Sequence, residues 1–108
     1  MDTKLQENLE ERFKFIDCFI ECGDGWFEIL WDMCLELEKE LHHFHATEFK
    51  LIQIKEKFRQ LRVYSNIFSL RTEIIVRNAE DSSKYICEKC GGSTKISKIL
   101  KDVKMCNC

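Results

Sequence analysis

Phe49-Lys50-Leu51-Ile52-Gln53-Ile54-Lys55-Glu56-Lys57-Phe58-Arg59-Gln60-Leu61-Arg62-Val63-Tyr64 decides the fold. Residues 49–54 and 61–64 are rich in β-branched and aromatic side chains with partial alternation, the pattern of half-buried strands. Lys55 to Gln60 then closes a hairpin. That connector holds no Gly, Asn or Asp, so the same residues also suit a continued helix. The hairpin makes the fold class α+β.

Helices are expected on both sides of it. Upstream, Trp26, Leu30, Met33, Leu37 and Leu41, with Ile29 and Cys34 beside them, form an apolar stripe at helical spacing. Glu28, Asp32, Glu36, Glu38 and Glu40 occupy the other faces of this helix over 26–41, which frays through His42-His43-Phe44-His45. Ahead of it, Cys22-Gly23-Asp24-Gly25 predicts a turn, with Asp24 accepting amide hydrogens at the helix start and Trp26 as an aromatic anchor. A ligand loop is the alternative for this segment. Leu5, Leu9 and Phe13 mark a first helix capped by Asp2 or Thr3, and Phe15 to Glu21 is less periodic. Residues 66–82 predict a third helix with Asn66 as its cap and Ile67, Leu70, Ile74 and Asn78 or Ala79 along its apolar stripe.

The 108 residues are length for one domain, and 44% hydrophobic content with eight Phe and two Trp excludes disorder over most of the chain. No apolar run reaches the ~20 residues of a membrane span, and the first twenty residues carry eight charges, unlike a secretory signal. A cytoplasmic protein is expected. Charge is polarised: residues 1–48 sum to −9 and residues 49–108 to +7, against a total of −2. Either the two surfaces neutralise each other across the fold or they form a bipolar binding surface.

Seven cysteines in a chain without a signal peptide suggest a reducing compartment. Cys18, Cys22 and Cys34 lie among apolar residues and read as core filling. Cys87-x2-Cys90-Gly91-Gly92 followed by Cys106-x-Cys108 approaches the four-cysteine zinc pattern. The first turn aims two thiolates at one point, the glycine relieves the backbone, and the excursion through Ile96, Ile99, Leu100 and Val103 returns the second pair. Zinc bound by Cys87, Cys90, Cys106 and Cys108 would be architectural, since four thiolates leave no position for substrate. The one-residue gap between Cys106 and Cys108 is shorter than the two usual in zinc ribbons. A redox pair is the competing assignment, and it lacks the βαβ context. The expected organisation is a helical body with the hairpin over 1–82 and a zinc ribbon docked on it over 83–108.

Two weaker constellations remain. His42, His43 and His45 with Cys34 suggest a second metal site, against the plainer assignment of a solvated helix end. Lys50, Lys55, Lys57, Arg59 and Arg62 around Phe58 and Tyr64, with Lys84, Lys89, Lys95, Lys98, Lys101 and Lys104 beyond, suit a phosphate backbone with Phe58 or Tyr64 as a stacking surface; an ordinary basic face is the alternative. No nucleophile elbow, phosphate-binding glycine loop or His-Glu-x-x-His occurs, so an enzyme is not expected.

Cys22-Gly23-Asp24-Gly25-Trp26-Phe27-Glu28-Ile29-Leu30, the stretch Gln53 to Tyr64, Ala79-Glu80 to Ser83 and Cys87-Glu88-Lys89-Cys90-Gly91 resemble a group of small bacterial and phage proteins that have no settled activity. In that group a Gly-Asp-Gly-Trp segment opens a helix, a Lys-Glu-Lys-Phe-Gly segment forms a hairpin and a zinc ribbon closes the chain. Arg59 stands where the group has Gly, and the final cysteine pair is shortened. The resemblance implies the hairpin rather than the helix, a phage or mobile-element origin, and a role directed at a host protein or nucleoprotein complex, such as an anti-CRISPR or other anti-defence factor. The expected contact residues are Glu28, Asp32 and Glu36 on the acidic helix, or Lys55, Lys57, Arg59 and Arg62 on the hairpin. A regulator that binds RNA or DNA directly is the alternative.

Overall fold

The computed structural model describes residues 1–44, 48–67 and 69–92. Its order is α1 (Thr3–Arg12), β1 (Ile20–Glu21), a 3-10 turn (Asp24–Trp26), α2 (Phe27–Phe44), β2 (Leu51–Lys57), β3 (Gln60–Ser65) and α3 (Leu70–Ser83). The fold is α+β, with three α-helices and a three-stranded sheet in the order β1-β2-β3. No helix among the described residues is long and apolar enough to cross a membrane.

The deciding stretch is a hairpin. β2 and β3 pair antiparallel, with Ile54 opposite Val63, Lys55 opposite Arg62 and Lys57 opposite Gln60. Side chains alternate across a strand, so Ile54, Leu61 and Val63 enter the core while Lys55, Lys57, Arg62 and Tyr64 share the opposite, more exposed face. The connector is tighter than its composition suggests: Phe58 and Arg59 alone make the turn, both at positive φ (53° and 63°). Two residues of left-handed conformation are the geometry that matches the twist of a tight hairpin.

A third strand was not expected. β1 joins β2 in parallel, Ile20 beside Ile54 and Glu21 beside Lys55, and Ile16 bridges Leu51. Helix side chains satisfy backbone groups along both edges of the sheet. Gln6, buried on α1, accepts a hydrogen bond from the Ile20 amide (3.2 Å). On the far side the Leu61 amide donates to Ser83 Oγ (2.8 Å) and the Val63 amide to Glu80 Oε2 (3.0 Å), both on α3. Edges closed this way offer little template for pairing with another chain.

The expected stripe of α2 is the core: Trp26, Ile29, Leu30, Met33, Cys34 and Leu37 are buried against Leu9, Phe13, Ile20, Leu51, Ile54 and Leu61. Asp2 caps α1, its Oδ1 accepting from the Lys4 amide (2.8 Å). α3 departs from expectation twice. Its cap is Ser69, in a reciprocal pair with Thr72, while Asn66 instead accepts from the Lys50 amide (2.7 Å) and donates to the Glu48 carbonyl (2.8 Å) at the open end of the hairpin. Its buried side is Thr72, Ala79 and Ser83 with Ile75 and Val76 half-buried, whereas Leu70 and Ile74 of the expected stripe are 75% and 50% exposed. The reason is the sheet edge: the side of α3 that meets β3 must supply acceptors, so it is more polar than an apolar-stripe rule allows.

Candidate functional site

The glycines of Gly23-Asp24-Gly25-Trp26 make room for the cysteine turn. The Gly25 amide donates to the Glu88 carbonyl (2.6 Å), the Gly23 amide to Glu88 Oε2 (2.9 Å) and Trp26 Nε1 to the Ile86 carbonyl (2.9 Å). A Cβ on Gly25 would lie 2.1 Å from the Cys87 oxygen, and one on Gly23 would lie 2.4 Å from the Glu88 oxygen. Trp26 is the expected core anchor. Asp24 does not cap α2, because its carboxylate accepts the Asp2 amide (2.6 Å) and ties the segment to α1.

Seated there, the cysteine turn is closed by its own backbone hydrogen bonds. The Gly91 amide donates to the Cys87 carbonyl (2.8 Å), the Cys87 amide to the Gly92 carbonyl (3.0 Å), and the Gly92 amide approaches Cys90 Sγ at 3.3 Å. Gly91 sits at φ +73°, which an L side chain resists. Cys87 is buried and Cys90 exposed; Cys106, Cys108, the residues between and Lys95, Lys98, Lys101 and Lys104 lie outside the described residues. Among the described residues no group of three or more His, Cys, Asp or Glu side chains is gathered for a metal.

Of the histidine constellation the structure describes the side chains of Cys34 and His42, and those of His43 and His45 lie outside the described residues. Cys34 is fully buried in the core while His42, two turns further along α2, is exposed. Cys22 and Cys34 fill the core as expected, and burial pushes both thiols up to about 12. Cys18, half-buried, is pushed up to about 11, chiefly by the same loss of water. None of the three is an activated nucleophile at neutral pH.

The two sets of charged contact residues sit on separate elements. Glu28, Asp32 and Glu36 follow one another at i, i+4 and i+8, all exposed along α2. This ridge separates two open grooves. One, of about 700 Å³, lies between α1 and α2 and is lined by Asn8, Glu11, Arg12, Phe27, Trp31 and the ridge residues Glu28 and Asp32. The other, of about 430 Å³, lies between α2 and α3 and includes Glu36, Met33, Ile75 and Ile86. On the hairpin, Lys55 Nζ lies 5.9 Å from the Tyr64 ring centroid and Lys57 Nζ 5.7 Å from that of Phe58, with Phe58 85% exposed at the tip. Arg59 occupies the turn itself, its amide donating to Glu56 Oε2 (3.2 Å).

Among the described residues one ion pair joins the two oppositely charged halves of the chain, Arg71 Nε to Glu40 Oε1 at 3.9 Å, and it involves neither set of expected contact residues. Among the described residues no ion pair joins Lys55, Lys57 or Arg62 to Glu28, Asp32 or Glu36; Glu36 pairs only with Lys39 on its own helix, at 3.5 Å. The cation on the first groove is neutralised separately. Arg12 holds Glu38 through two contacts, NH2 to Oε1 at 2.9 Å and NH1 to Oε2, and its hydrogen bond keeps that carboxyl below the usual carboxylate range. Phe27, Trp31 and Glu11 are the site residues that sequence reasoning missed. Phe27 and Trp31 stand at i, i+4 just off the core stripe, a signal that could have found them. Compared with family models, curated proteins and solved structures, the chain matches none.

Proposed function

We propose that this chain is a non-enzymatic binding protein that acts by occupying a macromolecular partner, a host protein or nucleoprotein complex, and so modulates or inhibits it. One observation carries this: the exposed carboxylates Glu28 and Asp32, outside any ion pair among the described residues, stand between two grooves with apolar floors. Exposed charge beside apolar concavity suits recognition of a complementary surface. The resemblance to phage and bacterial proteins makes a phage-borne, anti-defence role such as an anti-CRISPR the specific form of this proposal, in a reducing cytoplasm that keeps Cys22 and Cys34 as thiols.

Zinc, on Cys87, Cys90, Cys106 and Cys108, is the proposed cofactor, and the turn at Cys87 to Gly92 supports it. Metal analysis of protein refolded with zinc is expected to find about one zinc per chain, lost in Cys87→Ser and Cys90→Ser. Zinc at background in the refolded protein would overturn the assignment.

The test of function is a tagged pull-down from host lysate, with and without nuclease. A discrete partner that survives nuclease and is lost when Glu28 and Asp32 are reversed to Lys is the expected outcome. A second assignment, a regulator that binds RNA or DNA directly, is favoured by the Lys55–Arg62 pair beside Tyr64 and by the exposed Phe58. Under it the recovered material is nucleic acid, binding weakens steeply with salt, and reversal of Lys57 and Arg62 abolishes it.

A further inference from the structure

We propose that the groove between α1 and α2 is a receptor for an arginine side chain presented by a basic segment of the partner protein, an inference that rests on the binding-protein proposal above. Its inner wall is aromatic: the half-buried rings of Phe27 and Trp31 stand 5.8 Å apart with 31° between their planes, and Phe13 supports Trp31 edge-on from the core at 5.1 Å. Its rim is acidic. Glu28 and Asp32 on α2 and Glu11 on α1 are all exposed, and none is in an ion pair among the described residues. Arg12, the one cation among the described residues that line the groove, is already spent on Glu38 and stacked over Phe13 at 4.8 Å.

The occupant follows from these two properties together. An apolar ligand would leave three carboxylates on the rim without a partner, and an anion would be repelled by them. A cation with a flat, weakly hydrated face satisfies both the rings and the rim: guanidinium stacks on aromatic faces and donates in pairs to carboxylates, while an ammonium does only the second as a point charge. The volume of about 700 Å³ is ample for one such side chain with its flanking backbone. Arg12 lying over Phe13 within the same molecule is an instance of this pairing.

The test uses the full chain and a fluorescein-labelled Gly-Arg-Gly-Arg-Gly peptide at low ionic strength, with lysine and citrulline versions beside it. The arginine peptide is expected to bind more tightly than the lysine peptide, and the citrulline peptide not to bind. Glu28→Gln with Asp32→Asn is expected to weaken the arginine peptide about tenfold or more. Both carboxylates are exposed, so this variant keeps the fold. Glu48→Gln, an exposed carboxylate that does not line this groove, is expected to leave affinity within about twofold, because an exposed charge outside the contact contributes little. Trp31→Phe is expected to weaken binding about threefold, since the indole is the better cation acceptor. Equal affinity for arginine and lysine peptides, or equal loss with Glu48→Gln, would mean a diffuse acidic surface and would overturn the receptor. Retention of a nuclease-resistant host partner by the Glu28→Gln, Asp32→Asn chain would overturn it too, while leaving the binding-protein proposal standing. Capture of no partner by the unmodified chain overturns that proposal itself.

Discussion

A methyl group at Gly25 would lie 2.1 Å from the Cys87 carbonyl oxygen and 2.5 Å from the Gly91 amide nitrogen, both of them backbone atoms. Neither can move without dismantling the cysteine turn. Gly25→Ala is therefore expected to cost about 2–3 kcal/mol in urea unfolding, whereas Gly92→Ala, which meets only Cys90 Sγ at 3.2 Å, stays under about 1 kcal/mol. Buried thiols set a second single-residue effect. Burial raises Cys34 from its ordinary value of 9.0 to about 12, so between those values the unfolded chain has shed a proton the folded chain keeps. Stability is then fully supported below pH 9 and falls as pH rises toward 12. The urea midpoint is expected to drop from pH 9 to pH 11, and to drop less steeply in Cys34→Ala, which starts from a lower midpoint at pH 8. The thiols were legible as core because Cys22 and Cys34 lie among apolar neighbours in the chain. The role of Gly25 was not, because the carbonyl it accommodates lies some sixty residues away.

At the scale of elements, the hairpin was legible from its β-branched and aromatic runs but its turn was not. Phe58 and Arg59 hold left-handed conformations that favour Gly and Asn, at a cost of ~1–2 kcal/mol for each ordinary residue. Phe58→Asn with Arg59→Gly is expected to raise stability by about 1 kcal/mol, read from chemical denaturation. A fall in stability would show that the side chains at the tip contribute more than their backbone costs. β1 escaped the reading because two residues in parallel pairing carry no periodicity. The third helix was found and its face only in part: Ala79 of the expected stripe is buried, whereas Leu70 and Ile74 are exposed and Ser83 and Glu80 meet the amides of β3. Apolar periodicity assumes that a helix meets another apolar surface. Here part of the neighbouring surface is two strand amides, those of Leu61 and Val63.

Across the whole molecule, the 3-10 turn connects the proposed metal site to the core. Trp26 is fully buried and donates to the Ile86 carbonyl, one residue before Cys87. Removal of zinc by a chelator is expected to lower the thermal midpoint and shift the tryptophan emission, and Gly25→Ala is expected to produce a similar shift without chelator. Emission unchanged by chelation would show that the glycine cradle holds the turn without metal. The acidic ridge was legible because charges at i, i+4 and i+8 declare a shared exposed face. The groove beside it was not, because it exists only once α1 lies across Phe27 and Trp31. The cradle also bears on how the protein is made. Gly23, Gly25 and Trp26 leave the ribosome about sixty residues before Ile86 and Glu88, the partners of their N–H groups. The contacts that seat the cysteine turn on this segment therefore form only after those residues are synthesised, and the segment is more exposed to proteases and chaperones before then.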